Sequence, residues 1–256
     1  MNEVIYRDLE NKHVLITGAA TGIGKATAVS FLNQGCLVTG IDFNNVELSK
    51  FKQYSKNKEQ LNLLCCNLTK HSLLKSIITD SFNKFGPINI LVNNAGSNTR
   101  INFKKLNIKS WKFHISNNLD HMYYISRLVV PKMKLIGNGS IINMSSTAWM
   151  KLAPNLSAYH AAKAGVIGLT CGMASDLGPY FIRVNAVAPG RVLTKKEINI
   201  QKNINPDWEN ETYKIQCIPK FITPENIANT ILWLGSNQSQ LITGQTIVVD
   251  GGVIQK

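Results

Sequence analysis

The chain opens with a short apolar strand that runs directly into a glycine-rich turn and a helix. Residues 12–17 are mainly β-branched and apolar, which is typical of a buried strand. Gly18, Gly22 and Gly24 follow at once, and a helical pattern then runs up to Gly35. A unit of this kind is typical of folds in which parallel strands alternate with covering helices.

The same unit predicts a dinucleotide site. Its glycines let the backbone approach a pyrophosphate, whose charge the helix N-terminus favours, although their G-x-x-x-G-x-G spacing differs from the usual G-x-G-x-x-G. A second apolar strand, 36–41, ends in Asp42, which lies 18 residues after Gly24, near the spacing of a carboxylate that binds ribose hydroxyls. This carboxylate would repel a 2′-phosphate. NADP-dependent proteins commonly carry a basic residue at the positions of Thr21 or Phe43, so the sequence predicts NAD.

Tyr159 and Lys163 form a second chemical feature, because they lie four residues apart within a helical pattern over 157–178. Residues at i and i+4 share one helix face, so the phenol and the ammonium point the same way. A nearby cation lowers the pKa of a tyrosine from its usual value of about 10. We therefore predict that Tyr159 is a general base near neutral pH.

With these features in view, the chain resembles the short-chain dehydrogenase/reductase family from about Leu9 to Gly252. The matching motifs occur in family order: Thr17-Gly-x-x-x-Gly22-x-Gly24, Asn93-Asn-Ala-Gly96, Asn118, Ser146, Tyr159-x-x-x-Lys163, Pro189-Gly190 with Thr194, Ile242-Thr-Gly-Gln and Asp250-Gly-Gly252. The resemblance implies reversible hydride transfer between a nicotinamide and the carbinol carbon of an alcohol.

The resemblance also implies roles for individual residues. Tyr159 would be the acid/base and Ser146 would orient the substrate oxygen. Lys163 would bind the nicotinamide ribose, and Asn118 would hold a water in a proton relay. The expected cofactor contacts are Gly18, Thr21, Gly22, Ile23, Gly24, Asp42, Phe43, Asn67, Leu68, Asn94, Ala95, Gly96, Tyr159, Lys163, Pro189, Gly190, Val192 and Thr194. The expected substrate contacts are Asn98, Ser146, Trp149, Leu156 and Tyr159.

Two positions depart from the family pattern. Asn67 stands where an acidic residue usually accepts a hydrogen bond from the adenine amino group, and we expect its amide oxygen to accept a weaker one. Asp120 stands where a small residue is common, and the sequence gives no reason for it.

The alternation of strands and helices predicts one α/β domain over 1–256, a doubly wound parallel Rossmann sheet with strand order 3-2-1-4-5-6-7. Residues 191–222 show no clear pattern, so we expect a long loop that closes over the substrate. The predicted strands are 12–17, 36–41, 61–66, 88–92, 139–145, 181–187 and 245–249. The predicted helices are 22–34, 45–55, 70–85, 108–136, 157–178 and 223–236.

Composition limits the possible partners. The net charge is +13, but the 28 basic residues include 23 lysines spread along the chain, which argues against a nucleic-acid site. The chain has no run of 18 apolar residues, so we expect no membrane span. Five scattered cysteines favour a reducing, cytoplasmic compartment. His114, His121 and His160 lack metal-ligand spacing, so we expect no metal and regard them as surface or packed residues.

The small residues along 157–178 favour close helix packing, and the resemblance implies a homotetramer, a dimer of dimers, through this helix. The favoured function is NAD-dependent oxidation of a secondary, aryl or cyclic alcohol. One alternative is an NADPH-dependent carbonyl or 3-oxoacyl-carrier-protein reductase, against which Asp42 speaks. Another is a non-catalytic cofactor-sensing or scaffold protein, against which the presence of Ser146, Tyr159 and Lys163 speaks.

Overall fold

Seven parallel strands form the central sheet of the protein. A computed structural model describes residues 4–54 and 58–254, and in this part of the chain the sheet order is β3-β2-β1-β4-β5-β6-β7. This order confirms the predicted topology. The strands are β1 His13–Thr17, β2 Leu37–Asp42, β3 Leu61–Cys65, β4 Ile90–Asn93, β5 Gly139–Met144, β6 Ile182–Pro189 and β7 Thr246–Val249.

Helices cover both faces of the sheet. On β1, Val14 and Ile16 pack with Phe31 on one face, whereas Leu15 packs with Ile125 on the other. Both faces of the strand are therefore buried, as a doubly wound parallel sheet requires. The helices are α1 Gly22–Asn33, α2 Asn45–Tyr54, α3 Leu74–Phe85, α4 Ile108–Ile115, α5 His121–Ile136, α6 Ser157–Leu177, α7 Lys195–Ile204, α8 Trp208–Ile215 and α9 Pro224–Gly235.

The single helix predicted over 108–136 is interrupted. A π-helical turn, Ser116–Asp120, separates α4 from α5 and contains Asn118. The prediction missed this turn because one wider turn barely changes the apolar period of the flanking helices. Such turns are frequent at functional sites because they reorient the backbone groups of a helix.

The prediction of a patternless loop over 191–222 is wrong, because the segment contains α7 and α8. Thr194 caps α7 by accepting a hydrogen bond from the Glu197 main-chain N–H at 3.1 Å. Trp208 of α8 is buried, and its ring centroid lies 5.5 Å from that of Phe221. Both helices are short and carry mixed charges, which hides their apolar period in the sequence.

Within the part of the chain that the structure describes, no helix is long and apolar enough to cross a membrane. The same residues contain no group of three His, Cys, Asp or Glu side chains placed to hold a metal ion. All five cysteines are free thiols.

Candidate active site

The glycine-rich turn between β1 and α1 forms a cradle that has no room for side chains. Gly18 and Gly22 have positive φ angles of 68° and 54°, which favour glycine. A Cβ on Gly24 would overlap the Gly18 carbonyl oxygen, and it would lie 2.6 Å from Asn94 Nδ2. Because side chains are absent at these positions, a pyrophosphate can approach the backbone at the N-terminus of α1. These residues therefore suit a dinucleotide cofactor.

Asp42 lies at the rim of this cradle, at the carboxyl end of β2. Its Oδ2 accepts a hydrogen bond from the Ala20 main-chain N–H at 3.1 Å, and its Oδ1 accepts one from Asn44 at 3.0 Å. Each oxygen keeps a further acceptor site, which suits the two hydroxyls of a ribose. The next side chain, Phe43, is 76% exposed.

The segment after β4 holds the cradle in place. The Asn94 side-chain amide donates to the carbonyl oxygens of Thr17 and Gly18, at 2.9 Å and 3.1 Å. The main-chain N–H groups of Asn94 and Ala95 both donate to Thr17 Oγ1. The side-chain amide group of Asn94 therefore supports the glycine turn, in addition to any contact with a cofactor.

Gly96 brings the same segment close to two predicted catalytic residues. A Cβ on Gly96 would lie 2.7 Å from Asn118 Oδ1 and 3.3 Å from Lys163 Nζ. The Asn118 side chain accepts from Ser97 N at 2.9 Å and donates to the carbonyl oxygens of Ser97 and His114. Both donors of the side-chain amide are thus bonded to the protein, and its oxygen keeps one acceptor site. The predicted relay water stays a prediction.

Tyr159, Ser146 and Lys163 converge beside this segment, as predicted. The Ser146 hydroxyl interacts with the Tyr159 phenol and lowers the pKa of that phenol, and it accepts a hydrogen bond from the Ala148 main-chain N–H at 3.1 Å. Lys163 is buried, and its Nζ donates to the Met144 carbonyl oxygen at 2.7 Å. The distance from Lys163 Nζ to the centroid of the Tyr159 ring is 5.8 Å.

The electrostatics of this group correct one prediction. Burial raises the pKa of Tyr159, the Ser146 hydroxyl opposes that rise, and the charge of Glu197 adds to it. Burial also lowers the pKa of Lys163 to about 7. The expectation that Lys163 holds the Tyr159 pKa below its usual value is therefore wrong for the free protein, because moving a phenolate out of water outweighs the groups that favour it.

Asn67 has no open acceptor site for the adenine amino group, in contrast to the prediction. Its Oδ1 already accepts from the main-chain N–H and from the hydroxyl of Thr69, at 3.0 Å and 2.8 Å. These two bonds occupy both lone pairs of the amide oxygen. The exposed Asn67 therefore presents its NH2 group as the open polar group, and its contact with a cofactor stays a prediction. Its neighbour Leu68 is buried.

The segment after β6 brings α7 onto the glycine turn. A Cβ on Gly22 would lie 3.1 Å from Thr194 Cγ2, so the N-terminus of α7 lies against the cradle. Pro189 ends β6, and a Cβ on Gly190 would lie 2.7 Å from Asp250 Cβ. Val192 is buried and pairs with Ile222 in an isolated parallel bridge. Of the other predicted cofactor residues, Thr21 occupies the N-cap position of α1 without a side-chain capping bond, and Ile23 lies in the first turn of the helix.

The predicted substrate residues lie in three segments: the turn after Ser146, the start of α6 and the segment after β4. Trp149 lies in the short turn after Ser146, and Leu156 is buried at the start of α6. Asn98 extends from the segment after β4 and donates from Nδ2 to Glu197 Oε2 at 3.5 Å. These contacts place α7 next to the residues predicted to touch substrate.

Sequence reasoning missed two side chains at the site. Glu197 acts on the Tyr159 phenol, and the pattern Thr194-x-x-Glu197, a helix-start signature, could have located it. His121 is fully buried, and its Nε2 donates to the Ala95 carbonyl oxygen at 3.1 Å. Burial, with the nearby Lys163 charge, lowers the pKa of His121 to about 3, so the imidazole is neutral.

Comparison with known proteins extends these observations to the whole chain. A family model described as enoyl-(acyl carrier protein) reductase matches residues 18–254. The 3-oxoacyl-[acyl-carrier-protein] reductase of Thermotoga maritima is 37% identical over 96% of this chain and 99% of its own. A probable galactose dehydrogenase of Rhizobium meliloti is 31% identical over 97% of each chain.

A solved structure agrees with these relatives. The aldohexose dehydrogenase of Thermoplasma acidophilum superposes with a TM-score of 0.87 at 29% identity, covering 98% of this chain and 99% of its own. Members of this family bind a nicotinamide cofactor and a small-molecule substrate. The chain therefore belongs to the short-chain dehydrogenase/reductase family of oxidoreductases.

Proposed function

We propose that the protein is an NAD-dependent dehydrogenase that interconverts a secondary hydroxyl of a cyclic or aryl alcohol and the corresponding carbonyl. The observation that carries the proposal is the convergence of the Ser146 hydroxyl on the Tyr159 phenol beside buried Lys163. The galactose and aldohexose dehydrogenases among its relatives are named for the oxidation of hydroxylated substrates, which supports the same reaction class.

The side chains divide the work of the reaction. Tyr159 holds the proton that is exchanged with the substrate oxygen, and Ser146 donates a second hydrogen bond to that oxygen, which stabilises negative charge developing on it. When bound, NAD supplies the hydride acceptor and a positive charge near the phenol. The Lys163 Nζ donates to the Met144 carbonyl oxygen, and this bond holds it 5.8 Å from the centroid of the Tyr159 ring. The Tyr159 pKa is raised in the free protein, so it favours the protonated acid.

Asp42 supports NAD over NADP. Its two oxygens each keep an acceptor site for a ribose hydroxyl, and the carboxylate would repel a 2′-phosphate. The basic residue nearest the turn in the sequence is Lys25, and its Nζ lies 5.2 Å from the centroid of the Phe51 ring. That contact directs Lys25 toward α2, away from the glycine turn.

A fluorescence titration with NADH and with NADPH tests the proposal, because it needs no substrate. We expect tighter binding of NADH, and we expect Asp42→Ser to weaken NADH binding while it reduces the discrimination against NADPH. Asp80→Ser, which removes a carboxylate from α3, is the matched control. Oxidation of secondary, cyclic and aryl alcohols with NAD is measured next.

The 37% identity to a 3-oxoacyl-[acyl-carrier-protein] reductase favours a second candidate, an NADPH-dependent carbonyl reductase. The same titration separates the two candidates. Preference of the wild-type protein for NADPH would overturn the NAD assignment, and reduction of a 3-oxoacyl thioester with NADPH would then be assayed.

We also propose that α6 pairs two subunits within a homotetramer. Small side chains form its solvent-exposed stripe, and a Cβ on Gly168 or Gly172 would meet no atom within 4 Å, so a second helix could approach closely. Light scattering after size-exclusion chromatography tests this, with Gly168→Arg expected to reduce the molecular mass of the assembly. The stripe consists of Ala161, Ala164, Gly168, Gly172 and Ser175.

A further inference from the structure

Glu197 carries a half-buried carboxylate at the start of α7, where three segments of the chain meet. Its Oε1 accepts a hydrogen bond at 2.5 Å from Nε2 of Gln201, which lies one turn further along the helix and is 5% exposed. Its Oε2 accepts from Asn98 Nδ2 at 3.5 Å. The carboxylate is therefore held between α7 and the segment that follows β4.

Through Asn98, this carboxylate adjoins the segment that packs beside the predicted reacting group. Its charge raises the pKa of the Tyr159 phenol, so the two groups interact through space. Asn98 comes two residues after Gly96, where a Cβ would lie 2.7 Å from Asn118 Oδ1 and 3.3 Å from Lys163 Nζ. A molecule whose carbinol oxygen contacts Tyr159 would thus carry its neighbouring atoms toward Glu197 and Asn98.

The carboxylate has acceptor capacity that the protein leaves open. An ionised carboxylate offers about four acceptor sites, and the two bonds from Gln201 and Asn98 account for two of them, the second at the limit of hydrogen-bond length. Among the side chains that the structure describes, the one ion pair joins Lys50 and Glu47, so no described cation neutralises Glu197. Neutral hydroxyl groups would supply donors here, whereas an anionic substrate group would be repelled.

We propose that Glu197, together with Asn98, selects a substrate that carries hydroxyl groups beside the reacting carbinol, such as a cyclitol or the ring form of a sugar. This inference rests on the proposed dehydrogenase function and narrows its substrate class. Glu197 accepts hydrogen bonds from the hydroxyls next to the reacting carbon, and the Asn98 side chain, which has its own acceptor oxygen, lies beside them. A purely apolar ring would leave the carboxylate facing a water-excluded surface, which is costly.

The test compares hydroxylated rings with a bare ring. Oxidation of cyclohexanol, cis-1,2-cyclohexanediol, cyclitols and aldopyranoses with NAD is followed by NADH absorbance. We expect at least one hydroxylated ring to exceed cyclohexanol in kcat/KM. We expect Glu197→Gln to lower kcat/KM for that ring about 10- to 100-fold, the usual loss for a hydrogen bond to a charged group. The change in kcat/KM for cyclohexanol should be much smaller, because it reflects only the effect of the Glu197 charge on the Tyr159 pKa. Glu209→Gln, which neutralises an exposed glutamate on α8, should alter neither substrate.

Two results would overturn the inference while leaving the dehydrogenase function intact. One is oxidation of cyclohexanol with a kcat/KM equal to or above that of every hydroxylated ring. The other is an equal loss for both substrates in Glu197→Gln, which would make Glu197 a support of α7 alone. If no alcohol is oxidised, calorimetry measures whether the Tyr159→Phe variant, saturated with NAD, binds a hydroxylated ring. Binding of the ring that is lost when Glu197→Gln is added to Tyr159→Phe supports the inference and rejects the proposed reaction. Absence of binding to Tyr159→Phe rejects the inference.

Discussion

His13 makes the stability of the protein depend on pH in mildly acidic solution. It is the first residue of β1 and is 1% exposed. Its Nδ1 donates to the Gly86 carbonyl oxygen at 2.8 Å, so Nε2 is the acceptor nitrogen of the neutral ring, and it lies 3.0 Å and 3.2 Å from the hydroxyls of Thr39 and Ser81. Burial lowers the pKa of His13 from 6.5 to about 4.

The shift determines both the sign and the size of the effect. Between pH 6.5 and pH 4 the unfolded chain binds a proton at His13 that the folded protein does not, so the free energy of unfolding falls as the pH falls. The whole loss is about 3.4 kcal/mol, because each pKa unit corresponds to about 1.36 kcal/mol. About 2 kcal/mol of it is lost between pH 7.5 and pH 5. His121, whose pKa is about 3, adds a loss of the same sign.

Urea unfolding at pH 7.5 and pH 5 measures this effect, with the protein concentration held constant because the chain is expected to assemble. We expect His13→Gln to be less stable than the wild type at pH 7.5, since it loses buried hydrogen bonds. Its stability should then fall by about 2 kcal/mol less than that of the wild type on going to pH 5. Equal losses in the two proteins would refute the reasoning, because they would show that His13 does not titrate between the folded and unfolded states.

Three further changes have definite expected results. Tyr159→Phe should abolish turnover while NADH still quenches or enhances fluorescence as in the wild type; normal turnover would reject Tyr159 as the acid/base. Gly24→Ala should lose NADH binding in the same titration, because its methyl group overlaps the Gly18 carbonyl oxygen. Unchanged affinity would show that the glycine turn does not form the cofactor site. Without cofactor, the free energy of unfolding of the wild type should rise by about 2 kcal/mol between pH 7 and pH 9. The reason is that the unfolded lysine keeps a proton in this range, whereas Lys163 in the folded protein, with a pKa of about 7, releases it. Lys163→Met should lack this gain in urea unfolding, and retention of the gain would show that another group is responsible.

The sequence was sufficient to predict the sheet because its strands are mainly apolar segments that alternate with helical patterns. Parallel strands end at one edge of a sheet, so the positions of Asp42, Gly96 and Ser146 after their strands also placed them in one site. The helix containing Tyr159 and Lys163 was predicted over 157–178, and the structure confirms it as α6, Ser157–Leu177.

Other features could not be predicted, for physical reasons. The π turn around Asn118 widens one helical turn without changing which residues are apolar. The raised Tyr159 pKa comes from burial, which the four-residue spacing to Lys163 does not reveal. Glu197 escaped notice because its hydrogen bonds reach Asn98, which is 99 residues away along the chain. Long-range contacts of this kind are set by the packing of whole elements.

The clamp between Asn94 and the glycine turn bears on the order in which the protein matures during synthesis. Thr17 and Asn94 are 77 residues apart in the chain, yet their hydrogen bonds join the turn to the end of β4. A nascent chain that ends before β4 already contains every glycine of the turn, but it lacks the segment that holds them. We therefore expect that a nicotinamide cofactor cannot stabilise the emerging chain until Asn94 has left the ribosome and β4 has paired with β1.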